Sequence, residues 1–571
     1  MVYSKVLIVD GYTDEPAGFG VPPYIDVYPR YIAGAIWVQE PSTMIHYLTV
    51  DEARKNIQEF LNRASNYDLV VVIAGAIVPG RYLGGEPIRL DELKTWFRIL
   101  EKPVKILVGA AARWGIGNEG GTVAKLPKEV RENFDVIVTG DPEAYVYELF
   151  SEGLEKARTW ATLDDVRLLG KMAIKGAKIV EQHPNYGYNL IAEIETYRSC
   201  SRWLTGGCSF CATKLYGKPL QRPVEDVVRE IEALHRMGVR HFRIGRQADF
   251  LVYGSPELGV EEWPRPNPEV IKRLLVGARA AAPGLLTLHI DNVNPKTIVL
   301  YPAESREVMK LLVQYHTPGD VAALGVESVD PVVVRENNLK TTFEEALEAV
   351  RVINEIGAAR GYNGMPELLP GINFVLGLKG ETRRTYELNL KLLRTIYEEG
   401  LLVRRINVRK VLVLPGTAMA SVGTRLVRKH ERLIHIFREE VAKLSAKFLR
   451  RLVPPGTILK HLYVEGYDSR SGVTFARQAG SYPLVVEIPC RLEQPGVIDV
   501  AIYGYSSRSV RGLPVPLDAN RSSISALSKL LGSTAALALA ANRPLRSRRD
   551  IVGAVGNSQV LKYVDVGGFA C

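Results

Sequence analysis

A chain of 571 residues, 46% hydrophobic and 24% charged, is long enough for three or four domains with cores of their own. No stretch approaches the ~18 uninterrupted apolar residues of a membrane span, and Met1–Val9 opens into a strand-like run rather than a signal peptide, so the sequence reads as cytoplasmic. The net charge of +10 is unevenly placed: 14 Lys/Arg face 3 Glu from Arg404 to Lys460, and 7 face 2 acidic residues from Ala519 to Cys571, which points to a polyanionic partner at the C-terminal third.

Residues 1–150 alternate apolar runs with helical segments. Val6–Val9, Leu69–Ala74, Val104–Val108 and Val136–Val138 read as buried parallel strands, with helices over Asp51–Ser65 and Leu90–Leu100. That is a doubly wound α/β sheet, whose ligands bind beyond the carboxyl ends of its strands. Gly11, Gly75, Gly80, Gly109 and Gly140 stand at those ends. Residues 151–189 read as a connector with a short strand at Lys178–Glu181, closed by the Pro/Asn/Tyr-rich piece His183–Tyr188.

Strand-like Leu190–Thr196 runs into Cys200-x7-Cys208-x2-Cys211, which holds three of the five cysteines. Three thiolates on one loop can hold three irons of a [4Fe–4S] cluster and leave the fourth open. Gly206-Gly207 allows a tight fold around such a group. Disulfides are not expected, because the cysteine count is odd and no secretory signal precedes it. A structural zinc site needs a fourth ligand, for which His235 and His241 are the candidates nearby. Cys490 reads as a core residue.

Six strand–helix units follow from 190 to 416. The strands are Leu190–Thr196, His241–Gly245, Leu285–Ile290, Val321–Val326, Ile372–Leu378 and Ile406–Leu414; helices start near Val224, Pro268, Ser305, Phe343 and Thr382. Such a series makes a parallel sheet whose site lies at the strands' carboxyl ends. Those ends carry Gly245, Gln247 and Asp249; Asn292; Glu327 and Ser328; Gly377 and Gly380; and Pro415.

The cysteine loop, with Phe210 before its last Cys, resembles the radical S-adenosylmethionine (SAM) superfamily, although the usual first gap is three residues. Gly325-Val-Glu327-Ser328 is similar to that superfamily's Gly-x-Glu-Ser, and Gly377–Thr382 to its Gly-Leu-Pro-Gly-Glu-Thr, with Lys379 in place of Pro. The resemblance implies a partial (β/α)6 barrel over 190–418, a [4Fe–4S] cluster on Cys200, Cys208 and Cys211, and a 5′-deoxyadenosyl radical made from SAM. It also implies an electron donor such as ferredoxin or flavodoxin. Phe210, Gly245, Gln247, Asp249, Asn292, Glu327, Ser328, Gly377, Gly380 and Pro415 are the expected SAM contacts. By the same resemblance 1–150 is Rossmann-like, of the cobalamin-binding or methylthiotransferase type. It lacks both the Asp-x-His-x-x-Gly of the first and the cysteines of the second.

Thr424–Leu452 reads as a basic amphipathic helix within a 419–456 segment, and Pro454-Pro455-Gly456 ends it. Short strands over 457–517 form a small β-barrel that resembles the TRAM domain, an RNA-binding module. Ile524–Leu531 and Thr534–Ala541 around Gly532 in 518–571 resemble a helix-hairpin-helix. Arg428, Arg432, Arg477, Arg508 and Arg511 are the candidate nucleic-acid contacts, with tyrosines interleaved. The whole resembles the archaeal-type radical SAM branch with a C-terminal helix-hairpin-helix. The expected activity is RNA modification, foremost of tRNA. Action on a protein or small metabolite, or RNA binding around a structural zinc, are the alternatives.

Overall fold

The computed structural model describes residues 3–15, 18–76, 82–117, 119–506 and 508–571; Gly80 lies outside them. Apolar runs rich in Val and Ile build the first sheet, as expected of strands buried on both faces. It comprises β1 (Lys5–Asp10), β3 (Met44–Thr49), β4 (Leu69–Ile73), β5 (Val104–Val108) and β6 (Val136–Ile137), all parallel, in the order β3-β1-β4-β5-β6. The edge strand β3 was not expected. Its exposed and half-buried alternate residues blur the apolar signal. The helix expected over Asp51–Ser65 breaks at Asn56, which caps the second half by accepting from the Glu59 N–H.

Between β1 and β3 the chain leaves this sheet. β2 (Tyr24–Ile25) pairs in parallel with the first barrel strand, and α1 (Val27–Gln39) packs beneath it. Arg30 on α1 is fully buried, bonded to Glu230 and to the Glu193 carbonyl. Residues 151–189 hold α2 (Pro142–Glu152, which ends there) and α3 (Val166–Gly176), and Lys178–Glu181 lies in a 3-10 helix rather than a strand. Gly34 on α1 explains the intimacy of the α1–α3 contact: a Cβ there would stand 1.9 Å from the Met172 carbonyl oxygen.

The central strands are β7 (Ile191–Ile194), β8 (His241–Ile244), β9 (Thr287–Ile290), β10 (Asn292–Val293), β11 (Asp320–Glu327), β12 (Leu368–Leu376) and β13 (Arg405–Lys410). They run in the orders β9-β8-β7-β2 and β10-β11-β12-β13, all in parallel. The two sheets meet where the third barrel strand is interrupted at Asp291, whose carbonyl still accepts from Ala323 N at 2.8 Å. Thus the six expected strands are present. The helices Val224–Arg236, Pro268–Ala281, Pro302–Tyr315, Phe343–Gly357 and Arg383–Glu398 lie between them. Thr342 and Glu345 close a capping box on the fourth of these, fixing where it starts.

The basic helix splits at His430 into Arg425–Lys429 and Glu431–Leu452, and Phe437, Val441, Leu444 and Phe448 bury its apolar stripe. A closed five-stranded barrel follows, with Ile458–Asp468, Val473–Gln478, Val486–Ile488, Val510–Val515 and Val497–Tyr505 in that spatial order. Helices Ile524–Leu531, Ser533–Ala541 and Arg548–Val555 complete the chain, Gly532 joining the first two at φ 81°. Cys490 and Cys571 form a disulfide, which corrects the expectation of none: the odd count concealed one pair beside the clustered three. Among the described residues no helix is long and apolar enough to cross a membrane.

Candidate active site

The cysteine loop leaves β7 and folds into two 3-10 turns, Ser201–Thr205 and Thr213–Tyr216, with Gly206 and Gly207 both at positive φ. Its shape is set from outside by the turn that follows the helix Pro331–Glu336, downstream of β11. Ser209 N donates to the Asn337 carbonyl at 3.0 Å and its hydroxyl to Asn337 Oδ1 at 2.8 Å. Asn338, in the left-handed region at φ 49°, donates from Nδ2 to the Gly207 carbonyl at 3.1 Å and the Thr205 carbonyl at 3.2 Å. Met419 N donates to the Ser209 carbonyl at 3.0 Å. Every arm of the loop is thereby tied to another strand end.

Cys200, Cys208 and Cys211 carry free thiols, and Cys208 is buried. Burial pushes the Cys200 thiol up to about 11, and the neighbouring Cys211 and Cys208 add to the rise. Arg202 donates from Nη1 to Cys208 Sγ at 3.3 Å. Lys340 faces Cys208, Glu327 and Cys200, whose negative charge raises its pKa against the opposing effect of burial. Neither Arg202 nor Lys340, nor the Asn337-Asn338 pair, was singled out in the sequence. The adjacent asparagines, of a type that tolerates left-handed backbone, were the available signal.

Glu327 lies beyond a bulge in β11 at φ 64°, a backbone region that costs a side-chain-bearing residue roughly 1 kcal/mol or more. Burial raises its pKa to about 7, although Lys340 and Arg409 act the other way. Gln247 accepts from Thr196 Oγ1 at 3.1 Å and donates to the Ile244 carbonyl at 2.7 Å, and Asn292 donates to the Gln247 carbonyl at 3.1 Å. Gly245 has no room for a Cβ, which would stand 2.2 Å from Glu193 Oε1. Cys200, Cys208 and Glu327 thus share Lys340 as a neighbour, while Gln247 and Asn292 are bonded to each other.

Other expected contacts have different employment. Asp249 accepts from Leu251 N, Asn294 N and Thr297 Oγ1 at 3.1, 3.1 and 2.7 Å, a set that fixes two strand ends to each other. Ser328 Oγ accepts from Asp330 N, Gly377 N–H donates to Glu381 Oε2, Phe210 packs at the edge of the main core and Pro415 is exposed. Gly380, at φ 83°, is a turn residue. Of the candidate nucleic-acid contacts, Arg428, Arg432 and Arg508 are exposed, while Arg477 is held by both Glu465 oxygens at 2.6 and 2.8 Å and Arg511 leans on Glu487 at 3.6 Å.

The carboxyl ends of the first sheet face the same mouth. Gly121 N and Ala124 N donate to the Val411 and Val413 carbonyls at 2.7 and 2.9 Å, lashing the sheet to the last barrel strand. Between them lies an open cleft, with Asp14, Ala76, Ala110 and Trp114 on one wall and Tyr197, Gln247 and Leu414 on the other.

Residues 168–393 match the description of the radical SAM superfamily. The chain therefore carries a radical SAM domain. It is 43% identical over 521 residues to an uncharacterized protein of Methanocaldococcus jannaschii, which spans 90% of this chain and 93% of that one. More distantly, it is 26% identical to the ribosomal protein uS12 methylthiotransferase RimO of Stenotrophomonas maltophilia (47% of this chain, 52% of that one). It is 22% identical to the tRNA-2-methylthio-N(6)-dimethylallyladenosine synthase of Desulfotalea psychrophila (45% and 52%).

This radical SAM protein is an enzyme, and its cofactors are a [4Fe–4S] cluster and SAM. The donor set fits the cluster: three free thiols on one glycine-hinged loop, with two cations beside them to offset thiolate charge. The Trp203 indole N–H in the same loop is also buried without an acceptor among the described residues. The histidines expected as a fourth zinc ligand are engaged elsewhere, His241 by Thr287 and Tyr463 and His235 by Val239 and Arg240.

Proposed function

We propose that this radical SAM enzyme modifies RNA, with tRNA the foremost substrate, and that Cys200, Cys208 and Cys211 hold its cluster. When bound, the cluster and SAM supply a 5′-deoxyadenosyl radical that abstracts hydrogen. The chain's residues do the rest: the Asn337-Asn338 turn fixes the cysteine loop, Glu327 and Gln247 offer polar contacts to SAM, and the facing sheet covers the mouth and excludes water.

The observation that carries the RNA reading is a basic ridge. The helix Glu431–Leu452 exposes Arg432, Arg438, Lys443, Lys447 and Arg450. Arg508 of the C-terminal barrel comes alongside: desolvation, and then the like charge of Arg508, hold the Arg438 guanidinium below its usual value. Like charges brought together across two modules favour a polyanion. The barrel, read as TRAM-like, and the helix pair about Gly532, read as a helix-hairpin-helix, extend that surface. One of the distant relatives is, by name, a tRNA-modifying enzyme.

The test is RNA-dependent production of 5′-deoxyadenosine and of a new nucleoside by the reduced holoenzyme, with Arg438→Glu and Arg508→Glu together expected to weaken RNA binding at least tenfold. A small-molecule substrate is favoured by the cleft between sheet and barrel. Full turnover of a metabolite pool without RNA, unchanged in the double variant, would decide for it.

A further inference from the structure

Two charged side chains lie beside the clustered thiols, Arg202 from within the cysteine loop and Lys340 from outside it. Arg202 is 2% exposed and points Nη1 at Cys208 Sγ, 3.3 Å away. Its remaining donors are already used: Nε to Glu262 Oε1 at 2.9 Å, and Nη1 and Nη2 to the carbonyl and Oδ1 of Asn338, each at 2.8 Å. The guanidinium is thus fixed in place. Lys340 follows the helix Pro331–Glu336, which comes after β11. Its Nζ and Glu327 Oε1 lie 2.5 and 2.8 Å from the point where a Cβ on Gly325 would stand, so both charged groups gather over Gly325.

We propose that Lys340, supported by Arg202, is a positioning residue for electron entry: the two cations set the reduction potential of the iron–sulfur centre. This rests on the reading of Cys200, Cys208 and Cys211 as its ligands. A cubane on three thiolates already carries net negative charge. A donor of the low-potential iron–sulfur or flavin class, oxidised by one electron as the centre is reduced by one, adds a further unit. Potentials of such centres respond to nearby charge, to hydrogen bonds on sulfur and to solvent exposure. Inside a protein the attraction of a neighbouring cation is screened far less than in water. Lys340 therefore favours the reduced state.

The experiment uses the full chain, reconstituted without oxygen, as wild type, Lys340→Met, Lys340→Arg and Arg202→Lys. Iron and sulfide are assayed, and the midpoint is measured by a dithionite titration followed by electron paramagnetic resonance. Lys340→Met is expected to keep its iron and sulfide and to disfavour reduction at least tenfold, about 59 mV for a one-electron couple. Lys340→Arg should restore the midpoint. An unchanged midpoint in Lys340→Met with a full cluster overturns the inference and leaves the ligand assignment standing. Loss of iron from Lys340→Met also overturns it, by making the residue a structural support. Arg202→Lys, which keeps the charge, should hold its cluster with a smaller shift than Lys340→Met. Full iron in Cys208→Ala would overturn the ligand reading beneath.

Discussion

Tyr482, in the middle of the loop after the second strand of the C-terminal barrel, donates its hydroxyl to Asp291 Oδ1 at 2.6 Å, at the interruption between β9 and β10. The loop enters with it. Ser481 N donates to His289 Nδ1 and Ser481 Oγ to the Ile290 carbonyl, both at 2.8 Å, and Arg405 stacks over the Tyr482 ring at 3.8 Å. Asp291 also pairs with Arg243, which Glu193 holds at 2.6 Å. Tyr482 at φ 50° is held in a region that bulky side chains avoid, so the surrounding contacts must outweigh that cost.

Tyr482→Phe is expected to leave Asp291 one donor short and to lower stability by about 1–3 kcal/mol. Tyr482→Ala should cost more through lost ring packing. Denaturant unfolding followed by circular dichroism measures both. Equal stability of all three proteins would show the contact to be idle.

Replacing Cys200, Cys208 or Cys211 by Ala should abolish retention of iron and sulfide and reduce SAM cleavage at least a hundredfold, with secondary structure intact. Anaerobic metal analysis and 5′-deoxyadenosine formation are the measurements. Matching loss in all three variants is required of a shared centre.

Asn338→Ala removes the side-chain bonds to Thr205 and Gly207 and places Ala at φ 49°. A loss of roughly 2 kcal/mol or more, together with faster release of iron to a chelator, is expected. Asn338→Gly should relieve the backbone cost and still release iron faster than wild type.

His241 is buried and neutral, its pKa lowered to about 3 mainly by burial. A histidine depressed below its unfolded value of about 6.5 binds its proton only on unfolding, so its stabilising effect is complete above that value and drains away as pH falls toward 3. At pH 5 the loss is on the order of 2 kcal/mol. The slope of Tm against pH between 7 and 5 should flatten in His241→Gln.

Cys571→Ser opens a disulfide that closes an interval of 81 residues. A loop of that size corresponds to stabilisation of roughly 4 kcal/mol in the chain-entropy account. A lower Tm is expected, matched by wild type under reductant.

The six barrel strands, the cysteine loop and the basic helix were legible because each carries its own local pattern: apolar runs at regular intervals, clustered thiols, charge on one face. What could not be read depends on partners distant in sequence. Asp249 reads as a ligand contact, but Thr297 and the Asn294 amide engage it. Arg477 reads as a free cation until Glu465 appears on the neighbouring strand. Lys340 carries no signal of its own in the sequence, and its place beside Glu327 and the thiols comes only with the fold. Tyr24–Ile25 is too short to announce that it leaves one sheet for another.

The tyrosine-tipped loop has a practical meaning for dissecting recognition. Cutting the chain at residue 456 would take Tyr482 and Ser481 away from Asp291 and Ile290, so an inactive fragment would report a disturbed scaffold and not a missing grip on substrate. The terminal third is as much masonry as hand, and its contribution to binding has to be read from surface charge reversals that leave every brick in place.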